Sequence, residues 1–376
     1  MRVLWVFDVL SPTMVRVAET LASRTDVQLE VMCNWGGPPP FNPDRIPHQL
    51  LHCRNKIDFS AQAQIRARLI AGQFDVVHAY TSKNLANVLG ASRGLRPSPK
   101  IIGYRGTVSQ LSIFDPANWI TFWHPRVAKI ICVCQATEAA LLKSRVPAHK
   151  LATVWEGCEP EGLQTPPRSA RQKFSIPADA FVVGTVANMR PVKGIDLLLQ
   201  AAVEHPGLRD VYWLLIGAVD DPRIRRLAED PRIADRVRLP GQMYGAGRLA
   251  GLFDVYAAPS RMEGLSMSIM EAMAQRVCPL VTRVGGSPEV VEHERQGLVV
   301  PPENPAALAA AIVRLRDDPA LRSRLAEAAE RRVRETFSIA AWTGRLHGVY
   351  SDVLGLAPSE VNSDAWRMDR TIAQTA

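Results

Sequence analysis

The chain has 376 residues, 47% hydrophobic and 22% charged, with 24 Gly and 28 Pro. That composition excludes collagen-like, mucin-like and wholly disordered chains, and at the usual ~100–200 residues per domain the length suits two domains. The formal charge of +8 is lopsided, with 18 basic and 11 acidic residues through Pro160 and 27 and 26 beyond it, so an anionic partner is implied for the first half. Nucleic acid is not expected, because zinc-finger spacing, an RNP-type strand and runs of consecutive Lys/Arg are all missing.

In chain order, short apolar runs alternate with helical patterns, the signature of parallel sheets with crossover helices. The first half reads as strands at Val3–Phe7, Leu29–Cys33, Asp75–Ala79, Lys100–Tyr104, Lys129–Val133 and Ala152–Trp155. Helices are expected at Val15–Ser23, Ala61–Ile70, Asn84–Ser92 and Ala136–Ser144. Gly and Pro punctuate the stretch from Glu156 to Arg168, which suits a linker. A second series of strands follows at Phe181–Ala187, Tyr212–Ile216, Val237–Leu239, Val255–Ala258, Pro279–Thr282 and Gly297–Val300. Helical patterns close the chain at Pro305–Arg316, Ala320–Glu335 and Ile339–Val353, and residues from about Pro358 show no pattern.

The expected architecture is α/β: two Rossmann-like, doubly wound parallel-sheet domains facing a central cleft. Residues 1–160 form the first, and residues 161–376 the second, with the terminal helix near 339–355 able to pack back on the first. Asp8 interrupts the first apolar run too early for a signal-peptide core. No stretch approaches the ~18 apolar residues of a spanning helix, so a cytoplasmic location is expected. Six cysteines show neither C-x-x-C pairs nor zinc spacing and read as reduced, mostly buried thiols.

Several motifs are missing: G-x-G-x-x-G after the first strand, a P-loop, H-E-x-x-H and G-x-S-x-G. The informative stretch runs from Pro259 to Met273, where a strand leads through a Gly turn into a helix capped at Ser266. Free amides and the helix dipole at such a start attract anions. If the stretch were helical throughout, Glu263 and Glu271 would stand about 12 Å apart at 1.5 Å per residue, wider than the ~5–9.5 Å of a glycosidase pair. The spacing suits two hydroxyl-rich ends of one extended ligand. Arg190 and Lys193 follow the strand Phe181–Ala187, just before Gly194. They read either as solvated loop cations or, beside a helix start, as a phosphate clamp.

The combination of Arg190…Lys193-Gly194, Pro259-Ser260-Arg261-x-Glu263-Gly264, Glu263-x7-Glu271 and Gly285-Gly286-x-x-Glu289 resembles the family 4 retaining glycosyltransferases of the GT-B fold. The likeness is strong from Val182 to Ala311 and looser before, and the motifs are specific only together. It implies a nucleotide-diphosphate sugar bound mainly by the second domain. Arg190 and Lys193 would contact the diphosphate, Glu271 the ribose hydroxyls and Glu263 the transferred sugar, with the amides of Gly264, Leu265 and Ser266 completing the anion site. It also implies retention of anomeric configuration and no bound metal. The base is expected at Leu239–Met243.

Two places depart from the family pattern. The expected Gly-Gly turn after the first strand is Asp8-Val9-Leu10-Ser11-Pro12-Thr13, where Ser11 or Thr13 is left to cap the next helix. Arg105 stands where the family tends to place a histidine. Arginine stays charged and cannot act as a base, so its expected part is to stabilise a phosphate. His78 is expected in the cleft wall rather than in catalysis. Phe114, Trp119, Phe122 and Trp123 lie near the basic loop Arg93–Lys100. They read either as core contacts of a short helix or as a face resting on an anionic membrane.

The leading expectation is thus a cytoplasmic, peripherally membrane-associated glycosyltransferase. Its acceptor would be a saccharide or a lipid-linked group of cell-envelope polysaccharide or lipopolysaccharide synthesis. A nucleotide-sugar hydrolase or epimerase of the same fold, or a non-catalytic nucleotide-sugar-binding protein, remains the alternative.

Overall fold

The computed structural model describes residues 1–35, 41–163 and 165–356; the patternless tail lies outside them. The first unit contains β1 (Arg2–Val6), α1 (Pro12–Ala22), β2 (Gln28–Cys33), β3 (His48–Leu50), α2 (Phe59–Gly72), β4 (Val76–Ala79) and α3 (Ser82–Ala91). It continues with β5 (Lys100–Arg105), α4 (Pro116–Trp119), β6 (Val127–Cys132), α5 (Gln135–Lys143) and β7 (Leu151–Thr153). Its seven strands pair in parallel in the order β3-β2-β1-β4-β5-β6-β7.

The second unit has β8 (Phe181–Val186), α6 (Ile195–Glu204), β9 (Val211–Ile216), α7 (Pro222–Ala228), β10 (Val237–Gly241), β11 (Val255–Ala258) and α8 (Met267–Ala274). It is completed by β12 (Cys278–Thr282), α9 (Ser287–Val290), β13 (Leu298–Val300), α10 (Pro305–Asp317) and α11 (Pro319–Thr336). Its order is β10-β9-β8-β11-β12-β13. Each sheet therefore reverses direction beside its own first strand, at β1/β4 and β8/β11. In doubly wound sheets ligands bind beyond the carboxyl ends of the strands at that reversal.

The last helix, α12 (Ile339–Leu354), belongs with the first unit, which comprises Met1–Glu156 and the segment from Ile339; Gly157–Ser338 form the second. The boundary thus falls four residues before the expected Pro160. Cys158 explains the shift: its amide donates to Phe337 O at 2.8 Å and it bridges to Ser338, so the crossing strands are already joined there. Alternate side chains of β1 point to opposite faces of its sheet. Leu4 and Val6 pack with Ile65 and Leu69 of α2 and Val88 of α3. Val3 and Trp5 pack with Val17 and Leu21 of α1 and Trp342 and Leu346 of α12. The Trp5 indole donates to Tyr350 Oη at 2.9 Å, and His78 Nδ1 lies 2.7 Å from the same oxygen. His78 is fully buried, and burial pushes its pKa down to about 3; it is a core histidine. All six cysteines are buried and none is in a disulfide.

Candidate functional site

The reversal point of the second sheet lies between the loops that follow β8 and β11, and these loops carry Arg190, Lys193, Glu263 and Gly264 to Ser266. The first loop closes in a 3-10 turn, Pro191–Lys193, and ends at Gly194 with φ +64°. A Cβ at Gly194 would overlap the carbonyl oxygen of Pro259, so glycine is required by both backbone conformation and close approach. Arg261 fastens the two loops together. Its guanidinium donates to Asp196 at 2.7 and 2.9 Å and to Pro191 O at 2.7 Å, and its amide donates to Val192 O at 2.8 Å.

Within this frame the Lys193 ammonium lies 2.7 Å from Glu263 Oε2, which also accepts from Ser260 Oγ at 3.0 Å. Arg190 is exposed, and its guanidinium has no partner among the described residues. Ser266 is the N-cap of α8 but makes no side-chain cap bond; its hydroxyl lies 3.3 Å from that of Ser268. The amides of Gly264, Leu265 and Ser266 have no acceptor among the described residues. The start of α6 likewise has no side-chain cap. Two helix starts with open donors therefore stand at one sheet edge, in loops that also carry Lys193 and Arg190, an arrangement that accepts an anion.

Glu271 lies about one turn into α8, beyond the helix start that forms this anion site. Its carboxylate faces Gly247, where a Cβ would overlap Glu271 Oε2. Burial raises its pKa, and no hydrogen-bond partner for it appears among the described residues. A half-buried carboxylate with no donor is suited to hydroxyl groups. Gln275 holds the facing segment in place, donating to Gly247 O at 2.7 Å and accepting from the Gly251 amide at 3.1 Å. The expected base segment forms the end of β10 and the start of the following loop.

Arg105 lies at the end of β5, in the other unit. Its guanidinium donates to Ser109 O and Oγ at 3.0 and 2.7 Å and lies 5.6 Å from the centre of the Phe122 ring. Nε is buried without a partner, and burial lowers the pKa of the group. Beside it, Tyr104 Oη donates to Glu156 Oε1 at 2.6 Å, and burial raises both pKa values.

The reversal point of the first sheet holds residues that sequence reasoning passed over. Lys83 pairs with Asp8 at 3.2 Å, joining the ends of β4 and β1. Their 75 residues of separation left no signal except position after a strand. Here each helix start has one amide taken by its N-cap: Ser11 Oγ accepts from Met14 N at 3.2 Å, with Pro12 following, and Thr81 Oγ1 accepts from Asn84 N at 3.2 Å. Of the aromatic run, Phe122 is 2% exposed and packs in the core, and Trp123 is half-buried. Phe114 and Trp119 are 89% and 56% exposed, joined by Ile113 and Ile120 at 43% and 40%.

The model described as glycosyl transferases group 1 matches residues 168–332, and the one described as glycosyltransferase family 4 matches residues 12–161. The chain is 30% identical over 198 residues to the D-inositol 3-phosphate glycosyltransferase of Corynebacterium glutamicum, covering 49% of this chain and 46% of that protein. It is 33% identical over 178 residues to the lipopolysaccharide core biosynthesis glycosyltransferase LpsD of Rhizobium meliloti, covering 47% and 51%. The chain thus spans about half the length of the curated relatives it matches. Among solved structures, Anabaena HepE in complex with UDP shares the fold with a TM-score of 0.78 at 20% identity, over 94% of this chain and 100% of that one.

Proposed function

Because the chain belongs to the group 1, family 4 glycosyltransferases and has their GT-B fold, we propose that it moves a sugar from a nucleotide-diphosphate sugar to a saccharide or lipid-linked acceptor in cell-envelope polysaccharide synthesis. The observation that carries this reading is the convergence of Arg190, Lys193, Glu263 and the open amides of Gly264 to Ser266 at one sheet reversal. Arg190, Lys193 and those amides take the diphosphate, Glu271 the ribose hydroxyls and Glu263 the sugar. In the reaction the bond from the anomeric carbon to the diphosphate oxygen breaks. A bond from the acceptor oxygen forms on the same face of the sugar, retaining configuration, and the acceptor's proton passes to the departing diphosphate. Two cations and two helix starts stabilise the charge that develops on that leaving group. The transfer is read as needing no metal and should proceed unchanged in excess EDTA.

Arg105 serves as a fixed positive charge for a phosphate on donor or acceptor. Asp8 and Lys83 suit the hydroxyls of a neutral acceptor. The LpsD relative supports an envelope saccharide as acceptor, and UDP in HepE supports a nucleotide donor. The first unit rests on an anionic membrane surface through Ile113, Phe114, Trp119 and Ile120, while the protein itself stays cytoplasmic.

A thermal-shift screen against UDP, GDP, ADP and their sugars tests the reading, since a ligand at a hundred times its Kd stabilises by about 2.7 kcal/mol. A shift with one base identifies the donor class, and silence from all of them refutes the assignment. Release of nucleotide that depends on an acceptor separates a transferase from a hydrolase or epimerase.

A further inference from the structure

Resting on that reading, we propose that Glu263 is an internal counter-ion that Lys193 must exchange for the diphosphate, which makes Glu263 the residue that distinguishes intact donor from spent nucleoside diphosphate. Three observations carry it. Lys193 and Glu263, both assigned to the ligand, face each other at 2.7 Å with side chains only 21% and 10% exposed. Ser260 Oγ holds the same carboxylate oxygen at 3.0 Å. The neighbouring cation, Arg261, is committed to Asp196 and Glu303 and does not compete.

A half-buried ion pair opens readily only when each charge finds a new partner. The intact donor offers both: phosphate oxygens for Lys193 and sugar hydroxyls for Glu263. A nucleoside diphosphate offers only the first. Lys193 then either stays with Glu263, and the diphosphate loses a contact, or leaves a carboxylate facing phosphate with Ser260 as its one donor. The pair therefore weakens product binding more than donor binding and favours release after transfer.

The test is calorimetric binding of UDP, GDP, ADP and dTDP to the full chain and to Glu263→Gln, Lys193→Gln and the double variant, with melting temperatures recorded for each. Glu263→Gln is expected to bind its nucleoside diphosphate about tenfold tighter, the equivalent of one charge-assisted hydrogen bond. In the Lys193→Gln background the same change should give less than a twofold gain, because the exchange partner is gone. Ser260→Ala, which takes from Glu263 its one donor besides Lys193, should shift affinity in the opposite direction, toward weaker nucleoside diphosphate binding, by a smaller factor. Unchanged or weaker binding by Glu263→Gln overturns the proposal. So does a gain that persists without Lys193, which would mean that removing any nearby negative charge suffices. If no nucleoside diphosphate binds wild type or variant, the donor reading fails and the exchange with it; if wild type binds and the variant gains nothing, the exchange alone fails.

Discussion

Gly247 gives a way to move one carboxylate without touching it. Replacing it with alanine places a Cβ 2.6 Å from Glu271 Cδ and 3.1 Å from Oε1. Ordinary carbon contacts begin near 3.5 Å, so the carboxyl group must retreat by about 1 Å. It is the far end of a flexible side chain, and Gly247 is in a helical turn, Ala246–Leu252, where alanine is favoured over glycine by roughly 0.5–1 kcal/mol. The unliganded protein should therefore melt at the wild-type temperature or slightly above it. A nucleotide that relies on Glu271 for its ribose should lose hydrogen bonds to a charged acceptor, each worth about 1.5–3 kcal/mol, which is ten- to a hundredfold in Kd. Calorimetry with the nucleotide found in the screen measures the loss, and Glu271→Ala should make Gly247→Ala silent. Wild-type affinity in Gly247→Ala, or an equal loss in the Glu271→Ala background, refutes the assignment of Glu271.

Gly194→Ala is the contrasting case, because its methyl overlaps a backbone oxygen and its φ is +64°. Left-handed backbone alone costs about 1–2 kcal/mol, or several degrees of melting temperature, and the displaced loop should also lose nucleotide; a wild-type melt would refute this. His78 titrates at about 3 in the folded chain against roughly 6.5 unfolded. The native state thus refuses a proton that the unfolded state takes, so stability is complete above ~6.5 and falls toward pH 3 by up to ~1.36 kcal/mol per pH unit. His78→Asn should flatten that slope in denaturant titrations, and an unchanged slope counts against the burial argument. Arg105→Ala should slow transfer while nucleotide binding to the second unit persists; Arg105→His raising activity with Arg105→Ala inert would be the wrong result. Phe114→Ser with Trp119→Ser should abolish salt-sensitive binding to acidic liposomes, and equal binding by wild type and variant refutes a membrane role for that face.

The strands were legible because each is a short apolar run bounded by Gly, Pro or polar residues, and their ends located the loops that carry Arg190, Lys193 and Glu263. β3 escaped notice because its three residues, His48-Gln49-Leu50, are largely exposed and form no apolar run. The pattern of α12 shows that one face is buried but not against what; Trp5 and Tyr350, 345 residues apart, supply that answer only in the fold. The aromatic run split because α4 is four residues long. Trp119 ends that one turn and Phe122 lies in the turn beyond it, so no helical periodicity spans both residues to separate buried from exposed. Gly247 opposite Glu271 and Lys83 opposite Asp8 are products of sheet order, which pattern alone does not specify.

The same topology occurs twice, and helix capping explains why phosphate is assigned to one copy. At each reversal a lysine faces an acid: Lys83 with Asp8 in the first sheet and Lys193 with Glu263 in the second. The difference lies in the four helices that start there. In the first unit Ser11 and Thr81 each take up one amide at the starts of α1 and α3, and Pro12 has none to give, so fewer donors are left there for a diphosphate. In the second, Gly194 and Ser266 leave α6 and α8 without side-chain caps, so donors and dipole remain available. The excess positive charge of the first half does not offset this. Arg93, Arg96 and Lys100 are exposed near the start of β5 rather than at the strand ends where ligands sit. Their position suits an extended anionic surface, whereas a single diphosphate is better met by the open amides of the second unit.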